Sequence, residues 1–92
     1  MLRITIDQEA DAVALRLEGK LIGAWVQEVR NVWSRVRTTR PERVSVSLTE
    51  ISSVDALGRR LLLEIHSAGG VLTGSGLLAK SLIKDVTGNT SL

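Results

Sequence analysis

The stretch Ser52-Ser53-Val54-Asp55-Ala56-Leu57-Gly58-Arg59-Arg60 sets two hydroxyls, a carboxylate and two guanidinium groups at the passage from an apolar strand into a helix. Asp55 stands where a helix N-cap is expected. Its carboxylate can accept backbone N–H bonds and is favoured at the positive end of the helix dipole. A plain structural role, capping and nothing more, explains Asp55 alone. A functional role asks for more: the loop and the exposed first turn would form a recognition surface, since binding residues concentrate on loops held by a rigid sheet.

The other chemically suggestive residues carry less. Gly74-Ser75-Gly76-Leu77-Leu78-Ala79 fits G-x-G-x-x-[G/A] between a strand and a helix. A dinucleotide fingerprint belongs at the start of a βαβ unit with an acid about 20 residues on, and here only 13 residues follow Ala79. The pattern reads as a tight turn. His66, the one histidine, falls near a helix end, where it suits the negative pole of the dipole. No nucleophile–base pair, carboxylate pair or His cluster accompanies it, so neither catalysis nor a metal or other cofactor is expected. Cysteine is absent, which removes disulfides and thiolate chemistry together. Asn89-Thr90-Ser91 matches a glycosylation acceptor, but Met1 to Asp7 offers no secretory signal, and a cytoplasmic location is the expectation.

Charge narrows the partners. Twelve basic residues against ten acidic ones give a net charge of +2. Arg30, Arg35, Arg37, Arg40 and Arg43 cluster, which is ordinarily a solvated helix face and the loop after it. Apart from two tryptophans the chain has no aromatic residue, so stacking platforms for nucleic acid are missing. No run of about 18 apolar residues suggests membrane insertion.

The elements that must position the Asp55 segment follow from periodicity. Hydrophobic residues at 43% and charged ones at 24% read as one globular domain. Leu2, Ile4 and Ile6 alternate with polar residues, and Val13, Leu15 and Leu17 share a face after the turn at Gln8–Asp11, so a hairpin of two strands opens the chain. Gly19 to Gly23 reads as a loop. Trp25, Val26, Val29, Val32, Trp33 and Val36 then form one helical stripe, with both tryptophans expected as core anchors and the helix ending near Arg37, before Pro41. Val44, Val46 and Leu48 mark a third strand, and Thr49 to Val54 an irregular passage. A helix from Leu57 to about Ser67 stops at Gly69-Gly70; Val71-Leu72-Thr73 is a fourth strand. Leu78, Leu82, Ile83 and Val86 carry a last helix closed by Thr87-Gly88, and residues 89–92 form a frayed tail. The order β-β-α-β-α-β-α predicts an α/β domain over residues 1–88, with a mixed four-stranded sheet, right-handed crossovers and helices packed on the sheet.

Several short motifs fall in one familiar order. Gly19-Lys20-Leu21 resembles a G-x-L after a second strand; Val44-Ser45-Val46-Ser47-Leu48-Thr49-Glu50-Ile51 resembles V-V-L-D-L-S-G-V; Val54-Asp55-Ala56-Leu57-Gly58 falls on I-D-S-S-G without a gap; Gly69-Gly70 and Val86-Thr87-Gly88 match G-G and L-T-G ends. Over about residues 2–88 the chain resembles the STAS domains of anti-sigma factor antagonists and sulfate-transporter tails. In the members that act as switches, a kinase that doubles as the anti-sigma factor phosphorylates a Ser or Thr after the signature aspartate. Such a phosphate adds about −1.5 to −2 charge at a helix start, which a docked surface can read.

This chain departs from that pattern at the switch. Ala56 occupies the acceptor position and has no hydroxyl, and Leu57 follows it. Ser47 and Ile22 replace frequent acids, Arg59, followed by Arg60, stands where a hydrophobe is usual after the signature glycine, and the second helix is about one turn short. The resemblance therefore implies a bacterial, non-catalytic regulatory domain that binds a protein partner without phospho-switching at position 56. The expected partner surface is Ser53, Asp55, Ala56, Leu57, Arg59, Arg60 and Glu64, and the expected partner is an anti-sigma factor kinase or a transporter ATPase. The competing reading is a structural subunit of a lipid-transport or other transporter ATPase complex, or a homodimeric scaffold.

Overall fold

The computed structural model describes residues 1–39 and 43–88. Arg40, Pro41 and the tail at 89–92, with its Asn89-Thr90-Ser91 triplet, lie outside the described residues. The elements follow the expected order: β1 (Leu2–Gln8), β2 (Ala12–Leu21), α1 (Ala24–Thr38), β3 (Arg43–Val54), α2 (Ala56–Ser67), β4 (Val71–Thr73) and α3 (Leu77–Gly88). They build one mixed sheet in the order β1-β2-β3-β4, with β1 antiparallel to β2 and the other neighbours parallel.

Successive parallel strands that step the same way across a sheet, joined by right-handed crossovers, place their helices on one face. Burial agrees. Val13, Leu15 and Leu17 of β2 and Val44, Val46 and Leu48 of β3 are buried under the helices, whereas the alternate residues Ala12, Ala14, Arg16, Ser45 and Ser47 are not. Among the described residues no helix covers the other face of the sheet, which is why small and polar residues alternate with the apolar ones. On the covered face, α2 packs between α1 and α3. Leu61, Leu62 and Ile65 of α2 are fully buried there, with Val29 of α1 and Leu82 of α3 in the same core.

Three sequence expectations need correction. Thr49 to Val54 is not irregular: β3 continues to Val54, paired with β2 as far as Leu21. The register slips between Arg16 and Glu18 and again between Gly19 and Lys20, each time spending an extra residue of β3. Such bulges break the two-residue period that announces a strand. The loop expected from Gly19 is likewise strand, because β2 runs to Leu21. Gly19 is there for a close approach: its φ is +109°, and a Cβ on it would stand 2.2 Å from the Met1 carbonyl oxygen. That carbonyl accepts the Lys20 N–H at 3.1 Å.

The third correction concerns the tryptophans. Trp33 is a core residue, 5% exposed, but Trp25 is 38% exposed. Trp25 is the second residue of α1, at the end of the helix layer. Leu78, placed on the α3 stripe by spacing, is likewise 41% exposed, and Ala79 takes the buried position.

Candidate functional site

The end of the molecule where the parallel strands finish and the helices start is organised by Asp55. Its backbone is extended, with φ −94° and ψ −175°, the conformation of an N-cap. Oδ1 accepts the Gly58 N–H at 2.8 Å, closing the first turn of α2. Oδ2 accepts the Gly23 N–H, also at 2.8 Å, at the start of α1. The Asp55 N–H donates to the Leu21 carbonyl at the end of β2, at 3.3 Å. One residue thus ties β2, α1 and α2 together. The Gly23 N–H first, and then the Gly58 N–H, hold the Asp55 carboxyl below its usual range, because both bonds favour the charged form. Sequence reading foresaw the cap but not the bond to Gly23, which is 32 residues away.

Gly58 permits the closeness. A Cβ there would lie 2.5 Å from the Leu21 carbonyl oxygen and 2.9 Å from Val54 Cγ1. The glycine of the signature lets the first turn of α2 rest on the end of β2.

The expected site residues do not form a single patch. Ala56 and Leu57 are exposed at the first turn, Leu57 by 55%. Arg60 points away from the buried stripe of Gly58, Leu61, Leu62 and Ile65. Arg59 turns to the α3 flank, 3.9 Å from Asp85. Glu64 turns to the α1 flank and pairs with Arg30. Ser53 is half-buried and belongs to β3, in register with Lys20; its neighbour Ser52 donates to the Gly19 carbonyl at 3.1 Å. The docking loop expected at Ser52–Leu57 is therefore a strand end and a helix start with one capping residue between them.

Exposed apolar residues not foreseen open the other two described helices. Trp25, 38% exposed, follows by two positions the Gly23 whose N–H donates to Asp55. Leu77, first in α3, is 92% exposed. None of the three helices has an acidic residue in its first turn. Exposed apolar side chains at these helix starts make a hydrophobic surface, with the Asp55 carboxylate bonded to the N–H groups that open α1 and α2. The signal was present in the sequence: each of Trp25, Leu57 and Leu77 follows a glycine or capping residue within two positions.

Small-molecule chemistry finds little support beside the start of α2; a groove of about 400 Å³ lies instead at the other end of that helix, beside His66, Gly69, Gly70, Val71, Leu72 and Thr87. The groove beside Arg59, Arg60, Leu63, Asp85 and Val86 is about 140 Å³, below the roughly 300–1,000 Å³ of ligand sites. In the glycine-rich turn, a Cβ on Gly74 would meet Ala79 Cβ at 2.7 Å, and the Ser75 N–H is engaged by Thr49 Oγ1. Both are packing duties. Among the described residues, no group of three acidic or histidine side chains could hold a metal ion, and no helix is long and apolar enough to cross a membrane.

No protein-family model and no curated protein sequence matches the chain. Solved structures do. An anti-sigma factor antagonist from Mycobacterium paratuberculosis superposes with a TM-score of 0.81 at 12% identity, over 97% of this chain and 80% of that one. The anti-sigma factor antagonist SpoIIAA in its unphosphorylated form gives 0.66 at 16% identity, over 89% of this chain and 82% of that one. An uncharacterised protein with a SpoIIAA-like fold from Shewanella loihica PV-4 gives 0.63 at 14% identity, over 98% and 80%. At such identities the likeness is one of fold, and the fold of this chain is SpoIIAA-like.

Proposed function

We propose that this chain is a non-catalytic STAS-like regulatory domain that docks a protein partner at the start of α2 and is not switched by phosphorylation at position 56. One observation carries the reading: the first turn of α2 is exposed, ordered by both oxygens of Asp55, and presents the methyl group of Ala56 where the motif it resembles has a hydroxyl. Leu57 supplies an apolar contact, and Trp25 is exposed at the start of α1. Arg59 and Arg60, both exposed, favour an acidic partner surface. Two solved proteins of this fold are anti-sigma factor antagonists, which supports an anti-sigma factor, or another regulatory or transport ATPase, as the partner.

The experiment is a titration against ATPases encoded beside this gene. Saturable binding is expected, and it should weaken in Leu57→Asp and in the double variant Arg59→Glu/Arg60→Glu. Binding that ignores both variants overturns the surface. Incubation with ATP and the cognate kinase should leave the Ser52–Arg60 peptide unlabelled; phosphate on Ser52 or Ser53 would contradict the unswitched reading. A partner encoded among transporter genes would move the domain from sigma-factor control to a transport complex without changing the docking face.

A further inference from the structure

The two edges of the sheet are unlike. β4 is three residues long, and shortness blunts an edge. β1 is seven residues long, and no described strand lies along its outer side. The direction of its free bonds can be assigned. The Lys20 N–H donates to the Met1 carbonyl, and the Glu9 N–H to the Ala12 carbonyl. Continued through the β1–β2 register, these make the odd-numbered residues of β1 the hydrogen-bonded partners of β2. Leu2, Ile4, Ile6 and Gln8 therefore aim their N–H and C=O groups outward. Side chains divide the same way: Ile4 and Ile6 lie across from Leu17 and Leu15 on the helix face, and Arg3, Thr5 and Asp7 stand on the open face. Ile6 is 48% exposed.

We propose that β1 pairs antiparallel with β1 of a second copy of this chain, Thr5 opposite Thr5 at the two-fold axis, joining two sheets into one. Charge and register select this occupant. Natural edges resist pairing by presenting like charges to a second copy. Here the two charges of β1 are opposite in sign and equally spaced about Thr5. In the Thr5-centred register Arg3 faces Asp7 of the second copy, and the symmetry repeats the pair. Ile4 faces Ile6, Leu2 faces Gln8, and each outward-facing residue exchanges both of its backbone bonds. A register centred on Ile4 puts Arg3 opposite Thr5 and loses the ion pairs; one centred on Ile6 puts Asp7 opposite Thr5 and leaves Arg3 facing only Glu9, beyond the end of β1. Both lose part of the ladder.

The open face extends the match. Arg3 lies across from Glu18 within its own sheet, and Asp7 is 3.9 Å from Arg16, which is 3.8 Å from Glu18. Pairing two copies makes the row Glu18, Arg3, Asp7 of the second copy, Arg16 of the second copy, with signs alternating throughout. On the helix face, Ile4 of each copy covers the exposed Ile6 of the other. This inference does not rest on the proposed docking function, because β1 contributes nothing to the start of α2.

Cross-linking tests the register. The chain has no cysteine of its own, so Thr5→Cys carries a single thiol. Directly opposed residues in a non-hydrogen-bonded antiparallel pair have Cα atoms about 4.5 Å apart, within disulfide range. Mild oxidation of Thr5→Cys should give a covalent dimer, while Ile4→Cys and Ile6→Cys, which report the two neighbouring registers, stay uncoupled. By sedimentation, the wild-type chain should double its mass as its concentration rises through the micromolar range. Arg3→Asp should weaken dimerisation roughly tenfold or more, and Arg3→Asp with Asp7→Arg should restore it. Ile6→Pro removes an outward N–H that the single copy does not use, so it should be monomeric with an unchanged circular dichroism spectrum. A wild-type chain that stays monomeric, coupling faster at Ile4→Cys or Ile6→Cys than at Thr5→Cys, or an Arg3→Asp variant as dimeric as wild type overturns the proposal.

Discussion

Gly58→Ala probes the joint on which the start of α2 depends. In an ordinary helix interior, replacing Gly by Ala stabilises by about 1 kcal/mol. Here the added Cβ would lie 2.5 Å from the Leu21 carbonyl oxygen, 2.9 Å from Val54 Cγ1 and 3.0 Å from Leu21 Cγ. Ordinary contact begins near 3.4 Å, so the first turn of α2 must withdraw by close to an ångström. The Asp55 N–H bond to that same carbonyl, already 3.3 Å, does not survive such a shift. Overpacking costs about 1–3 kcal/mol, and the lost hydrogen bond about 0.5–1.5 kcal/mol. Set against the helix gain, the net is a destabilisation of about 2 kcal/mol. At roughly 4–8 °C per kcal/mol for a domain of this size, the melting temperature should fall by about 8–16 °C. Calorimetry on the wild type and Gly58→Ala measures it, with Ser81→Ala on the exposed side of α3 as a control expected to hold or slightly raise the midpoint. A Gly58→Ala midpoint equal to or above that of the wild type would mean that α2 does not sit on β2 as described.

Other perturbations separate architecture from surface. Because its two N–H partners lower the folded-state pKa of Asp55, its contribution is present above the ordinary carboxylate value of 3.8 and is lost as pH falls through the folded value. Urea midpoints followed from neutral to acid pH should therefore drop in that acidic window, and the drop should be shallower in Asp55→Ala. Trp33→Ala should cost about 3–5 kcal/mol, since Trp33 is buried against Gly70 and stacked under Arg37 at 5.5 Å. Trp25→Ala should cost well under half of that in the same denaturation series, yet weaken partner binding. Arg59→Glu breaks an exposed pair with Asp85 and should change stability by no more than about 1 kcal/mol, so that any larger loss of binding reports docking rather than unfolding.

The element order, the buried stripes and the Asp55 cap were legible because each is written in local periodicity or in one residue's capping chemistry. What escaped was written non-locally. β3 beyond Leu48 lost its two-residue period to bulges whose cause is the register against β2. Gly19 looked like the start of a loop, although its positive φ serves a strand passing close to Met1. Trp25 shares a helical stripe with Trp33, and only its place at the end of the layer tells the two apart. The scatter of Arg59, Arg60 and Glu64 around α2 follows from helical geometry once the buried face is fixed, yet their partners Asp85 and Arg30 come from other elements. The second bond of Asp55 had no local signature at all.

That second bond bears on how docking can be controlled. Both oxygens of Asp55 are committed to backbone N–H groups, and the next residue ends in a methyl group. On the proposed reading, the charge at the start of α2 is therefore fixed over the physiological pH range. A ligand or modification shifts an equilibrium only by its differential interaction with the two states, and on that same reading this helix start offers no second state. Control then passes to occupancy: how much partner is present, and in what form. Pairing through β1 would add to this, because a two-fold axis at Thr5 gives each assembly two docking faces. A partner that is itself paired, and whose sites match that spacing, would gain effective concentration from the second contact without any new chemistry at the first. Thr5→Cys locked as a dimer and Ile6→Pro locked as a monomer differ only at the sheet edge, so a difference in their binding of a dimeric partner isolates this effect from the contacts made by Leu57, Arg59 and Arg60.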